Sequence, residues 1–306
     1  MRIILGTRGS ELARAQAVLV EAALRAAWPE MEIALEIIRT SGDETRGVAA
    51  AAPVGAQGRK GMFTSELEAA LREGRIDVAV HSAKDLPSEA SADLEVGAAL
   101  ERAAIEDVLI TKSSASLTTL PAHATVATGS VRRQRQLCRL RADLKVIDLR
   151  GNVPTRLRKL TTNPWDGIIL ARAGLERLGF DCAAGELVFE GNALHVLILP
   201  TEEFLPAGGQ GIVALQARAN EEATKRALAA INHAETWRCL RAEREFLRLL
   251  GGDCGTPVGV IADLREGALT MRAQLFEDGR AEPRSAVAHG AEPMELAAKL
   301  LELING

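Results

Sequence analysis

Apolar runs and helix-period stretches alternate along the first two-thirds of this chain, and that alternation limits the fold more than any other feature. Residues 3–5, 32–39, 76–80, 125–127, 145–149, 167–171 and 196–199 read as strands. Residues 11–27, 64–72, 131–140 and 155–160 carry helical periodicity, the first stretch ending before Trp28-Pro29. Short apolar strands separated by amphipathic helices pack as open, mostly parallel α/β sheets with helices on their faces. A chain of 306 residues exceeds what one simple core sustains, so two or three domains are expected.

Past Gly211 the pattern changes. Residues 220–230 and 235–250 read as helices, 259–264 and 268–276 as hairpin strands, and 293–303 as a closing helix. This is the signature of a small α+β C-terminal domain. Residues 111–122, rich in Ser, Thr and small side chains, read as a connection near a domain boundary. Residues 41–60 read as a long loop of the kind that often carries function. No internal repeat is visible.

Composition excludes several classes. The net charge of −4 gives no general attraction to nucleic acid or anionic membranes, so any basic patch must be local. Aromatic residues make up 3% of the chain and tyrosine is absent, which leaves little for a base-stacking platform. The four cysteines, Cys138, Cys182, Cys239 and Cys254, show no CxxC spacing and no zinc-like cluster with histidine. No apolar run reaches the length of a membrane span, and the start lacks a signal-peptide core. The expected setting is the reducing cytoplasm, with no membrane and no nucleic-acid partner.

Chemistry in open α/β sheets collects beyond the carboxyl ends of strands. There the chain places Gly6-Thr7-Arg8-Gly9-Ser10, His81-Ser82-Ala83-Lys84-Asp85, Ala127-Thr128-Gly129-Ser130-Val131-Arg132-Arg133 and Arg150-Gly151-Asn152, with Arg156 one turn further on. Helix starts favour anions through free N–H groups and the macrodipole. Arginine adds a fork matched to carboxylates or phosphates. Any one of these arginines reads equally as surface charge. Their recurrence at four junctions points to a positively lined cleft between two α/β domains, suited to a ligand with several negative groups. Asp85 is a carboxylate within that cationic setting. It reads either as part of a Lys84-Asp85 surface turn before Pro87 or as a functional carboxylate that stabilises a developing cation or exchanges a proton, and the pattern leaves both readings open. Lys60 closes the long loop and suits a lid. Cys254, in Gly251-Gly252-Asp253-Cys254-Gly255, lies on a glycine-rich turn, open to chemistry at sulfur. Gly208-Gly209-Gln210-Gly211 reads as a hinge or as a place where backbone meets ligand.

Taken in order, these motifs resemble the porphobilinogen deaminase (hydroxymethylbilane synthase) family along essentially the whole chain. The stretches that carry the likeness are Thr7-Arg8-Gly9-Ser10, Lys60-Gly61-Met62-Phe63, His81 to Pro87, Val131-Arg132-Arg133-Gln134, Leu149-Arg150-Gly151-Asn152, Pro206 to Gly211 and the Cys254 loop. The resemblance implies two α/β domains like those of periplasmic binding proteins, here 1–100 with 197–217 and 101–196, and a third domain, 218–306, bearing the cofactor cysteine. It implies a dipyrromethane cofactor joined to Cys254 by a thioether. It also implies a transferase that adds four porphobilinogen units with loss of ammonia, then releases hydroxymethylbilane by hydrolysis. By the same resemblance Asp85 is catalytic; Lys84, Asp85, Thr128, Ser130, Arg132 and Arg133 hold the cofactor; and Arg8, Ser10, Lys60, Arg150, Arg156 and Arg177 hold substrate. The protein is expected to act as a monomer on a small molecule. Gly129 stands where relatives often carry serine, and Asp253 where many carry glycine. From the residues alone, a non-catalytic anion-binding protein of the same architecture and a cysteine-nucleophile hydrolase remain as alternatives.

Overall fold

The computed structural model describes residues 1–39, 64–89, 91–113, 116–252, 255–280 and 282–306. The chain begins with β1 (Arg2–Arg8), α1 (Glu11–Ala27), β2 (Glu32–Ile38), α2 (Ser65–Arg72), β3 (Val78–Ser82) and β4 (Leu94–Ala99). It then crosses to a second sheet through β5 (Asp107–Thr111), β6 (Thr125–Ala127), α3 (Val131–Leu140), β7 (Lys145–Ile147), α4 (Val153–Thr162), β8 (Gly167–Ala171), α5 (Arg172–Glu176), β9 (Glu186–Phe189) and β10 (Asn192–Ile198). A return crossing leads to β11 (Val213–Arg218) and α6 (Glu222–Ala229). The third unit follows: α7 (Ala234–Leu249), β12 (Val258–Arg265), β13 (Ala268–Leu275), β14 (Arg284–Gly290) and α8 (Pro293–Asn305).

The first sheet has the order β2-β1-β3-β11-β4 and the second β7-β6-β8-β5-β10-β9. Each opens with three parallel strands, as the alternation predicts. The remaining pairings are antiparallel, so the sheets are mixed rather than mostly parallel. The two crossings explain this: β11 arrives from the other sheet and enters its own from the opposite end. The strands β4, β5, β9, β11 and β14 escape the periodicity reading. In β5 and β11 nearly every position is buried, polar Asp107 and Gln216 included, so neither strand shows the alternation of a half-exposed one.

Helix starts are set by short polar side chains. Ser10 caps α1 by accepting from the Ala13 amide, and Ser130 caps α3 by accepting from the Arg133 amide. Asn152 caps α4 from the Thr155 amide, with Pro154 preset in its first turn. These caps fix the strand-to-helix junctions that carry the arginines.

Each unit has its own core. Ile3, Leu5, Val20, Leu24, Val78, Val80, Val213 and Leu215 fill one face of the first sheet. Val108, Ile110, Leu157, Ile168 and Leu170 fill one face of the second. Phe246, Val260, Met271, Leu296 and Leu300 lie between the β12-β13-β14 sheet and its two helices. The sequence pattern groups α6 with the third unit, but Ala227 and Leu228 bury against the first sheet, so the third core starts at α7. That helix docks onto the first sheet through Leu240 and Trp237, beside Ala83, Leu86 and Ile212.

Candidate active site

A cleft opens at the carboxyl ends of β1 and β3, lined by Arg8, Ser10, Gln16, Thr64, His81, Ser82 and Asp85. Three of the expected residues, Arg8, Ser10 and Asp85, thus share one wall. Asp85 closes a single 3-10 turn, Ala83–Asp85, directly after β3, and its side chain is exposed to the cleft. Gln16 donates to the Ser82 hydroxyl at 2.8 Å, bracing this turn from α1. His81 faces a buried partner, the Gln216 side-chain oxygen at 3.0 Å. Burial lowers its pKa to about 4, with Arg244 and Arg8 adding to the effect, so it stays a neutral structural histidine. The other described histidines also have local roles: His233, for example, caps α7.

Behind the cleft lies a buried ion cluster that sequence reasoning missed. Asp107, fully buried at the start of β5, accepts from Arg132 Nη2 at 2.8 Å and from Arg133 Nη2 and Nε at 2.6 and 3.1 Å. Burial would raise the Asp107 carboxyl, but the two guanidiniums outweigh it and hold it well below the usual range. Arg132 also donates to the Leu205 carbonyl at 2.6 Å, and Arg133 to the Ile169 carbonyl at 3.1 Å. The open-handed cationic pair expected at this junction is therefore anchored on an internal acid. The cluster nevertheless keeps an excess of positive charge, because one carboxylate faces two guanidiniums and the nearby Lys84 ammonium. A signal for Asp107 existed: an acid heading the apolar run Val108-Leu109-Ile110 needs a buried partner.

Lys84 is half-buried between this cluster and Asp85. Its pKa is pushed down to about 8, chiefly by burial and then by Arg133, while Asp85 and Asp107 oppose the shift. Arg156, half-buried on α4, is pushed down to about 10, again chiefly by burial and then by Arg133, with Asp85 opposing. Its Nε donates to the Gly151 carbonyl at 2.6 Å. Arg150 is exposed and pairs with Asp148 at 2.7 Å. Arg177, lowered by burial, donates to the Gly211 carbonyl at 2.7 Å. Among the described residues the buried Nε atoms of Arg132 and Arg177 have no hydrogen-bond partner, so both guanidiniums retain donors for a ligand.

Thr128 is buried, and its hydroxyl accepts from the Ser130 amide at 3.3 Å. A Cβ at Gly129 would lie 2.5 Å from the Leu149 carbonyl oxygen, which gives a steric reason for glycine at that position. Cys254 and Lys60 lie outside the described residues. The neighbouring Gly252 accepts at 3.0 Å from the hydroxyl of Ser88, three residues past Asp85, so the approach to the Cys254 loop is tied to the Asp85 loop. Two other cysteines sit in cores: burial pushes Cys182 up to about 11 and Cys239 to about 12, far from thiolate chemistry. Cys138 lies exposed on α3. Among the described residues no group of acids, cysteines and histidines forms a metal site, and no described helix is long and apolar enough to cross a membrane.

Residues 3–226 match the family described as "Porphobilinogen deaminase, dipyromethane cofactor binding domain", and residues 237–305 match "Porphobilinogen deaminase, C-terminal domain". The Porphobilinogen deaminase of Roseiflexus sp. (strain RS-1) is 43% identical over 279 residues, 91% of this chain and 87% of that protein. The Porphobilinogen deaminase of Moorella thermoacetica is 41% identical over 308 residues, covering 98% of this chain and 93% of the relative. Among solved structures, the methionine-binding protein MetQ superposes with a TM-score of 0.45 at 13% identity, covering 77% of this chain and 92% of its own.

Proposed function

This chain belongs to the porphobilinogen deaminase family, and on that premise we propose that it joins four porphobilinogen molecules, with loss of ammonia, and releases hydroxymethylbilane by hydrolysis. The observation that carries this reading is the placement of Asp85 in a cleft at the end of β3, with the adjacent Lys84 turned toward a buried ion cluster that has excess positive charge.

The site fits a polycarboxylate. Each pyrrole unit brings acetate and propionate groups, and Arg8, Arg150, Arg156, Arg177, Lys60 and the Ser10 hydroxyl are assigned to them. Arginine forks and a helix start supply charge-assisted hydrogen bonds, the strong class. Lys84, Asp85, Thr128, Ser130, Arg132 and Arg133 are assigned to the dipyrromethane group, with Cys254 as its covalent anchor through a thioether. When bound, that group supplies a pyrrole terminus onto which the chain is built. The donor set suits it, since the orphaned Nε of Arg132 needs an acceptor. Among the cysteines, Cys182 and Cys239 are withdrawn into cores and held protonated.

Asp85 performs the electrostatic work. Departure of ammonia from the aminomethyl carbon leaves positive charge on the pyrrole, and the exposed carboxylate offsets it and accepts from the ring N–H. The same oxygen takes up a proton when the ring regains aromaticity after carbon–carbon bond formation. The setting we propose is the cytoplasm, with the protein acting as a monomer on a small-molecule substrate, independent of membrane and nucleic acid.

Replacing Asp85 by Asn tests this directly. The variant is expected to retain porphobilinogen-derived ligand while turnover falls by about 10²–10⁴-fold. Turnover within a factor of two of the unmodified protein would remove Asp85 from the chemistry.

A further inference from the structure

Gln210 is fully buried at the return crossing between the two sheets, and its side chain meets three parts of the molecule at once. Its Nε2 donates to Asp107 Oδ1 at 3.0 Å and to the Ile105 carbonyl, on the outgoing crossing, at 2.7 Å. Its Oε1 accepts from Lys84 Nζ at 3.4 Å. Its own carbonyl accepts from Arg102 Nε at 2.9 Å, and Arg102 is held by Glu243 of α7 at 2.6 Å. Glu243 in turn accepts from the Gly209 amide at 2.6 Å. The flanking glycines let the backbone thread this narrow place. Gly209 and Gly211 both have φ in the left-handed region, +74° and +84°, and a Cβ on Gly211 would lie 2.5 Å from the Ala103 carbonyl oxygen.

An amide at this point presents an acceptor to the ammonium and a donor to the carboxylate, so it satisfies both without adding charge. An apolar side chain would leave the Asp107 oxygen short of one donor and Lys84 short of its acceptor. We propose that Gln210 is a positioning residue for the reaction, holding the Lys84 ammonium between Asp85 and the Asp107–Arg132–Arg133 cluster and tying that placement to the crossing of the two sheets. The inference rests on the functional reading above, because Lys84 matters only if the cleft holds carboxylates. The charged groups that act on Lys84 are Asp85, on its own turn, and Asp107, Arg132 and Arg133, from the second sheet and α3.

The test compares unmodified protein with Gln210→Met, which keeps the shape and drops the amide, and Gln210→Glu, which keeps the acceptor and adds charge. The pH dependence of Lys84 acetylation, read by mass spectrometry, reports the ammonium directly and does not require turnover. The midpoint is expected to fall by about one pH unit in Gln210→Met and to rise by about one in Gln210→Glu, in line with one charge-assisted hydrogen bond. The alkaline limb of kcat/KM should move with it. Two opposed shifts cannot come from general loosening of the fold, and either folded variant alone suffices to read its direction. An unmoved midpoint in a folded variant of an active protein overturns the assignment to Gln210. If the unmodified protein leaves porphobilinogen untouched, the functional reading fails, and the catalytic meaning of the Gln210 contact fails with it.

Discussion

The Lys84 ammonium is held well below its ordinary range, within reach of neutral pH. Burial and Arg133 lower it to about 8 against the pull of Asp85 and Asp107, so the ammonium is charged below that pH and lost above it. A carboxylate ligand needs the charged form. The part of kcat/KM that depends on Lys84 should therefore be full near pH 7 and fall as pH rises through about 8. A profile flat to pH 10 would remove the lysine from ligand binding. Lys84, Asp85, Arg8 and Arg156 were legible in the sequence because each stands at or just past a strand end, where local pattern and function coincide. Asp107 was not, since its partners Arg132 and Arg133 lie 25 and 26 positions away. Gln210 was noticed only through its glycines. Separation along the chain hides such contacts from any periodicity argument.

Among the elements, the junctions of β6 with α3 and of β5 with its neighbours carry the most consequence. Ser130 starts α3, and the first turn of that helix then delivers both Arg132 and Arg133 to Asp107 on β5. Removing the acid leaves two buried guanidiniums facing each other. Asp107→Ala should cost about 3–5 kcal/mol of unfolding free energy in denaturant titration. A loss under about 1 kcal/mol would mean that water or ligand compensates the cluster. Because the Asp107 pKa is depressed in the fold, its stabilisation is present above the ordinary carboxylate range and is lost as pH falls below it. The Asp107→Ala penalty should accordingly shrink in acid. The strands β1, β2, β6 and β8 and the long helices were readable from alternation and helical periodicity. The strands β4, β5 and β11 needed the tertiary structure, since what places β11 between β3 and β4 is the double crossing.

In the whole molecule, the three cores meet where the two crossings pass α7. Arg102 from the first crossing, Gly209 and Gln210 from the second, and Glu243 from the third unit share one hydrogen-bonded knot. The third unit is thereby fixed against the first, and Ser88 ties Gly252 to the Asp85 loop. On the function proposed above, the third unit has a purpose that a plain anion-binding protein would lack: to supply a covalent anchor for the pyrrole chain. On the proposed function, Cys254 carries the pyrrole chain. The most direct test is the intact mass of the denatured protein beside its Cys254→Ser variant. The expected result is an excess over the polypeptide mass equal to two linked porphobilinogen-derived pyrroles, absent from the variant. A bare mass in the unmodified protein that stays bare after incubation with porphobilinogen, or an excess that survives loss of Cys254, would contradict it.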